Sequence, residues 1–425
     1  MSVRKYFKIL INEFSEFNFP PIIPRELQLP ASKRIMTLIG PRRAGKTFYF
    51  YQLITALLDA GVPKSYILYI NFEDDRIFPL ELKDLNDLLD AYYEMFPDTK
   101  EQLKYFFFDE IQNVKDWEMF VRRISDKENV VVHLTGSSSK LLSKEIATHL
   151  RGRTLPFYLF PLSFREFLLF KGISLPADFA YAHLRYSIQH LLPEYLEFGG
   201  FPEVVQTDTL KHPILTNYYD LILYKDLVDR FAIRNTILLR TLLKFLITNI
   251  ASPFSATSCY NSLRQQIKVS KETILEYLSY FSDVNLIFLV PIFSYSLKVQ
   301  QVNPSKIYCI DTGLRNAVAF KFSKDEGRLA ENIVFIELKR RNYPVYYWKG
   351  KHEVDFVIQK GDGSLLAINV CFSDTIDPRE IQGLLEFRTA FAPREPNLLI
   401  ITQNLEGESE EIPCIPLWNW LLTTD

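Results

Sequence analysis

The run Gly40-Pro41-Arg42-Arg43-Ala44-Gly45-Lys46-Thr47 meets the phosphate-loop pattern G-x-x-x-x-G-K-[ST] at every required position. Its chemistry is that of holding a polyphosphate. Gly40 and Gly45 permit a tight turn whose backbone N–H groups, with those of a following helix N-terminus, converge on phosphate oxygens. Lys46 brings a positive charge to the β- and γ-phosphates, and the Thr47 hydroxyl is a ligand for Mg2+. A second group stands downstream, where Lys104-Tyr105-Phe106-Phe107-Phe108-Asp109-Glu110 is an apolar run ending in two acids. A strand buried in a parallel sheet carries such acids out at its C-terminal end, beside the phosphate loop. Asp109 then holds the Mg2+, through water, and Glu110 orients and deprotonates an attacking water.

These residues need a scaffold, and the flanking sequence describes one. A strand-like run, Ile35-Met36-Thr37-Leu38-Ile39, precedes the loop, and a helix-like run from Phe48 to Leu58 follows it. Further strands are expected at Ser65–Phe72, ahead of the acidic cluster Glu73-Asp74-Asp75, and at Val130–Thr135. Alternation of strand and helix from residue 33 to about 165 predicts a doubly wound parallel α/β sheet with helices on both faces. The strand Val130–Thr135 ends in Gly136-Ser137-Ser138-Ser139. A polar side chain there reaches a γ-phosphate or the lytic water, and the same serines equally suit a helix-capping turn. In His149-Leu150-Arg151-Gly152-Arg153 two arginines flank a glycine and offer a cation to developing phosphate charge. Exposed arginines more commonly make surface ion pairs.

A chain of 425 residues is too long for a single core. Its formal net charge of −2 gives no global basic field, so binding to nucleic acid through bulk charge is not implied. Cys259, Cys309, Cys371 and Cys414 are far apart, and the six histidines have no metal-ligand spacing, so neither a zinc site nor a disulfide framework is expected. No apolar run approaches membrane-spanning length and the N-terminus does not read as a signal peptide, so a cytoplasmic location away from membranes is expected.

The first thirty residues read as a lead-in with a short helix. Residues 166 to about 235 are amphipathic and helical, interrupted by Glu197-Phe198-Gly199-Gly200-Phe201-Pro202, and suggest a lid. From Asn235 the pattern becomes three short helices and a strand pair, with the third helix opening at the N-cap residue Ser270 and strands at Leu286–Phe293 and Ser305–Ile310. That is the order of a winged helix-turn-helix, which would offer Lys268, Lys271 and Thr273 to a DNA groove or serve as a protein-docking module. The last hundred residues begin with a helix near Leu329-Ala330-Glu331-Asn332 and continue with apolar strands at Val345–Trp348, Glu353–Ile358 and Leu365–Val370. A helix followed by three strands, with Asp355 on the second, is what a restriction-endonuclease-like core shows. Active members carry Glu-x-Lys on the next strand, where two carboxylates hold Mg2+ and lysine polarises water. Asn369 and Cys371 stand there instead; Asp355 and Glu331 could still hold a metal, but the domain is read as nuclease-like in fold and inactive.

As a linear set, several motifs span nearly the whole chain. They are the phosphate loop, Phe107–Gln112, Leu134-Thr135-Gly136-Ser137, Leu150–Arg153, Pro161–Phe167, Lys306–Leu314, Glu331-Asn332 and Glu353–Phe356. With them the chain resembles the prokaryotic AAA-type (archaeal-ATPase-like) P-loop ATPases that carry a winged-helix segment and a C-terminal PD-(D/E)XK nuclease-like domain. The resemblance implies ATP binding and hydrolysis with Mg2+, with Lys46, Thr47, Asp109 and Glu110 in the roles given above. It implies a sensor role for Ser137 and an arginine-finger role for Arg151 or Arg153, supplied in trans in an oligomer. ATP rather than GTP follows from the resemblance, and no Asn-Lys-x-Asp signature opposes it. The expected domains are an AAA-type ATPase domain over 1–165, a helical lid over 166–235, a winged helix-turn-helix over 236–315 and the nuclease-like domain over 316–425. Two functions fit. One is a nucleotide-driven machine or switch acting on DNA through the winged helix. The other is a signalling or defence-type switch ATPase whose two C-terminal domains bind a protein partner. An ATP-gated nuclease has the least support, because Asp355 would have to work without the Glu-x-Lys pair.

Overall fold

The computed structural model describes residues 2–136, 150, 152–176, 184–265, 269–319, 325–373 and 375–423. The chain divides into two compact units, Met1–Leu159 and Phe160–Asp425. The first is built on five strands, β1 (Ile35–Ile39), β2 (Ile67–Asn71), β3 (Lys104–Asp109), β4 (Val130–Gly136) and β5 (Thr154–Tyr158). They lie in the order β2-β3-β4-β1-β5, with every neighbouring pair parallel. Helices α1 (Val3–Glu16), α2 (Lys46–Asp59), α3 (Asp84–Met95) and α4 (Trp117–Lys127) complete the unit. Every residue of β1 is buried, as a central parallel strand covered on both faces requires.

Successive residues of β3 serve opposite faces of the sheet. Phe106 and Phe108 join a core with Leu85, Leu88, Tyr92, Phe120 and Val121, while Phe107 joins another with Leu38, Phe50 and Ile54. The N-terminal segment is more than a lead-in. Phe7, Ile11 and Phe14 recur at helical spacing on one face of α1 and are all buried in this unit. Strand β5 was not among the strands expected from sequence. Pro156 interrupts its pattern, and an edge position beside β1 is where a strand tolerates proline.

The second unit opens with helices α5 (Phe164–Phe170), α6 (Leu184–Phe198), α7 (Pro202–Gln206) and α8 (Lys211–Leu221), the last continuing as a π-helical stretch, Ile222–Asp229. Then come α9 (Thr236–Thr248), β6 (Pro253–Phe254), α10 (Ala256–Leu263), α11 (Lys271–Asp283), β7 (Ile287–Val290), α12 (Leu297–Val302) and β8 (Ser305–Cys309). The three strands form an antiparallel sheet in the order β6-β8-β7. Helix α11 starts at the expected cap, where Ser270 Oγ accepts from the Thr273 N–H at 3.1 Å.

After α13 (Thr312–Val318) and α14 (Glu326–Arg340) the chain builds a six-stranded mixed sheet. Its strands are β9 (Val345–Lys349), β10 (Glu353–Gln359), β11 (Leu365–Cys371), β12 (Asn397–Thr402), β13 (Gly407–Ser409) and β14 (Ile412–Pro416), with α15 (Pro378–Ala390) and α16 (Leu417–Leu422). The order is β13-β14-β12-β11-β10-β9. Strands β9 to β11 form an antiparallel meander, whereas β11, β12 and β14 run parallel. Helix α15 packs Leu384 and Phe387 onto Val354, Val357 and Ala367 of the sheet.

One interlock joins distant parts of this unit. Buried Asp311 accepts from the N–H groups of Gly200 at 2.7 Å and Leu314 at 3.0 Å. A Cβ on Gly199 would lie 2.2 Å from the Asp311 carboxylate, and one on Gly313 would lie 2.0 Å from the Phe198 carbonyl oxygen. The glycines of both motifs are therefore required by close approach.

Candidate functional site

The phosphate loop leaves the C-terminal end of β1 and enters α2 through Gly45, whose φ of 95° lies in the left-handed region that favours glycine. Gly40 is needed for a different reason. A Cβ there would stand 2.2 Å from the Leu159 carbonyl oxygen at the end of β5, whose N–H donates to Ile39 O at 2.6 Å. Lys46 is buried, donates to the carbonyl oxygens of Gly40 and Pro41 at 3.2 Å each, and lies 3.4 Å from Glu110 Oε1. Arg42 Nη1 donates to Glu73 Oε1 at 2.8 Å, which ties the loop to the acidic cluster after β2.

The strand order explains how the two motifs meet. Because β4 lies between β1 and β3, the loop and the acids flank the end of β4. Thr47 Oγ1 donates to Asp109 Oδ2 at 2.6 Å, so the two residues expected to hold Mg2+ are in direct contact. Thr135, at the end of β4, donates through its hydroxyl to Asp109 Oδ1 and accepts from the Glu110 N–H at 3.0 Å. Tyr69 on β2 donates to Asp109 Oδ2 at 3.1 Å. Burial pushes the Asp109 carboxyl above its ordinary range, against the hydrogen bonds from Thr135 and Thr47, and the charge of Glu110 adds to the rise. Glu110 has a φ of 53°, a conformation rare for a residue with a side chain, and its carboxylate accepts from Gln112 Nε2.

The loop residues, Asp109 and Glu110 thus converge at one end of the sheet. Thr135, Tyr69 and Gln112 belong to the same cluster and were not singled out in the sequence. Strand-end position on β4 is the sequence signal for Thr135, which precedes Gly136 and the serines beyond it. Ser137 and Arg151 lie outside the described residues, as does Lys268. Arg153 pairs with Asp126 at 3.0 Å on the surface, both side chains more than a third exposed. The four cysteines are free and buried. Among the described residues no helix is long and apolar enough to cross a membrane.

The donor set suits a nucleotide and its metal. A left-handed glycine opens the 14-residue helix α2, a buried lysine stands at the loop, and a hydroxyl contacts a carboxylate. A five-stranded parallel sheet carrying this loop and acid pair defines an AAA-type P-loop domain. The comparisons agree, since the family described as an AAA domain matches residues 32–168, and two domains of unknown function match 189–325 and 326–420. An uncharacterized protein of Methanocaldococcus jannaschii is 38% identical over 419 residues, covering 95% of this chain and 91% of that one. An uncharacterized protein of Haemophilus influenzae is 31% identical, covering 93% of this chain and 96% of its own length. Among solved structures, the Walker-type ATPase of Pyrococcus abyssi is 13% identical, covers 74% of this chain and 95% of that one, and has a TM-score of 0.42. The chain belongs to the family of AAA-domain proteins that the M. jannaschii and H. influenzae relatives represent.

Proposed function

We propose that this protein is an Mg2+-dependent ATPase that works as a nucleotide-driven switch. The observation that carries the reading is the contact of Thr47 with Asp109, at 2.6 Å, beside Lys46 and Glu110. When bound, Mg2+ held by Thr47 and Asp109 would neutralise charge between the β- and γ-phosphates. The chain's own residues do the rest. Lys46 exchanges the loop carbonyls and Glu110 for phosphate oxygens, because an anion competes with each of those partners for its ammonium. Glu110, relieved of Lys46, accepts a proton from the attacking water. Thr135 holds the Glu110 backbone and the Asp109 carboxylate in fixed relation, so the base and the metal ligand move as one piece.

The helix–strand–helix–helix–strand–helix–strand order of α9 to β8, with its antiparallel three-stranded sheet, supports reading residues 236–315 as a winged helix, the short α12 lying between the two strands of the wing. Its partner is protein rather than DNA in this reading, because α11 carries Lys271 against Glu272, Glu276 and Asp283, and the α12 segment exposes Tyr295, Leu297 and Val302. Arg151 or Arg153 as a finger in an oligomer, and Ser137 as a sensor, stay part of the proposal.

The test is ATP hydrolysis by the full chain with and without Mg2+ and with and without DNA. Lys46→Ala should lose nucleotide binding. Glu110→Gln should keep it while turnover falls about 10²-fold or more. Hydrolysis at the wild-type rate by Glu110→Gln would remove the base assignment, and strong stimulation by DNA would replace the protein-partner reading with a DNA-coupled machine.

A further inference from the structure

The nuclease-like sheet places three carboxylates around one point. Glu331 lies on α14, and Glu353 and Asp355 lie on β10. The point is occupied by a side chain from another part of the unit. Lys306, on β8 of the three-stranded sheet, extends its ammonium to Glu331 Oε1 at 2.9 Å, Glu353 Oε1 at 2.6 Å and Asp355 Oδ1 at 2.9 Å. The ammonium donates hydrogen bonds to Glu331 and Asp355, and Glu353 is paired with it as a third charge. Lys306 is 1% exposed, so this is a built interior site rather than a surface pair.

The surroundings fix the carboxylates in place. The Tyr308 hydroxyl donates to Glu331 Oε1 at 2.7 Å, and the Val370 N–H donates to Asp355 Oδ2 at 2.9 Å. Asn369 accepts from the Asp355 N–H at 2.9 Å and donates to Glu380 Oε2 at 2.9 Å, so the residue in the place of a nuclease's glutamate keeps its neighbours aligned without adding charge. Cys371 turns to Ser373 Oγ at 3.4 Å and the Thr375 carbonyl at 3.6 Å.

A divalent metal does not fit beside this lysine, since both need the same three oxygens. Among the described residues no group of three or more His, Cys, Asp or Glu side chains is placed to hold a metal. Yet three carboxylates converging on one point without a cation would repel one another strongly. Burial alone would drive Lys306 toward its neutral form, but Asp355, Glu331 and Glu353 hold it charged, well above the ordinary lysine range.

We infer that Lys306 is the resident cation of this centre, held where a nuclease of this fold would bind its metal, and that removing its charge turns the three carboxylates into a divalent-cation site. The lysine closes the site to metal-assisted phosphodiester chemistry and fastens β8 to β10. The N···O distances of 2.6–2.9 Å are a few tenths of an ångström longer than the 2.3–2.6 Å of Ca2+–oxygen bonds, so Ca2+ is the ion the vacated site would take with least movement.

The experiment is Ca2+ binding to the full chain without nucleotide, followed by calorimetry and by melting temperature. Wild type should show no binding that depends on Asp355. Lys306→Met, of similar volume but uncharged, should bind one additional Ca2+ and gain on the order of 5 °C at saturating Ca2+. Lys306→Met/Asp355→Asn should lose both effects. If Lys306→Met folds poorly alone, Ca2+ present during refolding should restore its yield, and failure to do so counts against the inference. Asp355-dependent Ca2+ binding by wild type, or a folded Lys306→Met with no added ion, would overturn it.

Discussion

Thr135 is the residue whose part in the proposed nucleotide site is least evident from its type. Its hydroxyl donates to Asp109 Oδ1 and accepts from the Glu110 N–H, so one side chain positions both acids. Thr135→Val keeps the shape and removes both bonds, leaving a buried donor and part of a carboxylate unsatisfied, at a cost of about 1–3 kcal/mol. If that cost falls on the aligned state, turnover should drop roughly 10- to 100-fold with ATP affinity nearly unchanged. An equal loss in affinity would mean that Thr135 supports the loop as a whole and not the acids.

At the scale of elements, the turn after α6 and the turn entering α13 hold each other through Asp311. Asp311→Ala leaves the N–H groups of Gly200 and Leu314 without their acceptor in a buried setting. Two such donors predict a loss of about 3 kcal/mol in chemical denaturation. A loss under about 1 kcal/mol would show that water satisfies the donors and that the interlock rests on the glycine packing alone. The interlock spans 111 positions of sequence, so neither turn holds this arrangement by local preference.

For the whole molecule, the two units carry partly buried groups that respond to pH with opposite sign. In the first, His133 stacks on Phe107 at 4.5 Å and burial pushes it down to about 4. The unfolded chain then binds the proton first as pH falls below about 6.5, so this stabilisation is present above that value and is lost toward pH 4, a term of about 3 kcal/mol. In the second, burial, with the charge of Asp355 beside it, pushes Glu380 up to about 7. The unfolded chain ionises first above about 4.5, so this contribution is present at low pH and is lost as pH rises to about 7. Melting temperatures should therefore favour His133→Phe over wild type increasingly toward pH 4, and Glu380→Gln over wild type increasingly toward pH 8. Parallel curves for either pair would show that the group titrates normally.

Local signals carried the phosphate loop, the acid pair, the cap at Ser270 and the three strands around Asp355, because each rests on spacing within one element: a glycine turn, an apolar run, a hydroxyl before a helix. The buried face of α1 is equally local, since Phe7, Ile11 and Phe14 recur at helical spacing. What the chain's order alone could not decide was which strand ends become neighbours. Placing β4 between β1 and β3 made Thr135 part of the proposed nucleotide site, and the fold of the second unit brought the Lys306 side chain on β8 to Asp355 on β10 across 49 positions. Sequence names the residue types and the tertiary fold sets their distances. The charge at a centre such as Glu331, Glu353 and Asp355 depends on those distances, so its occupant became legible only in the folded molecule.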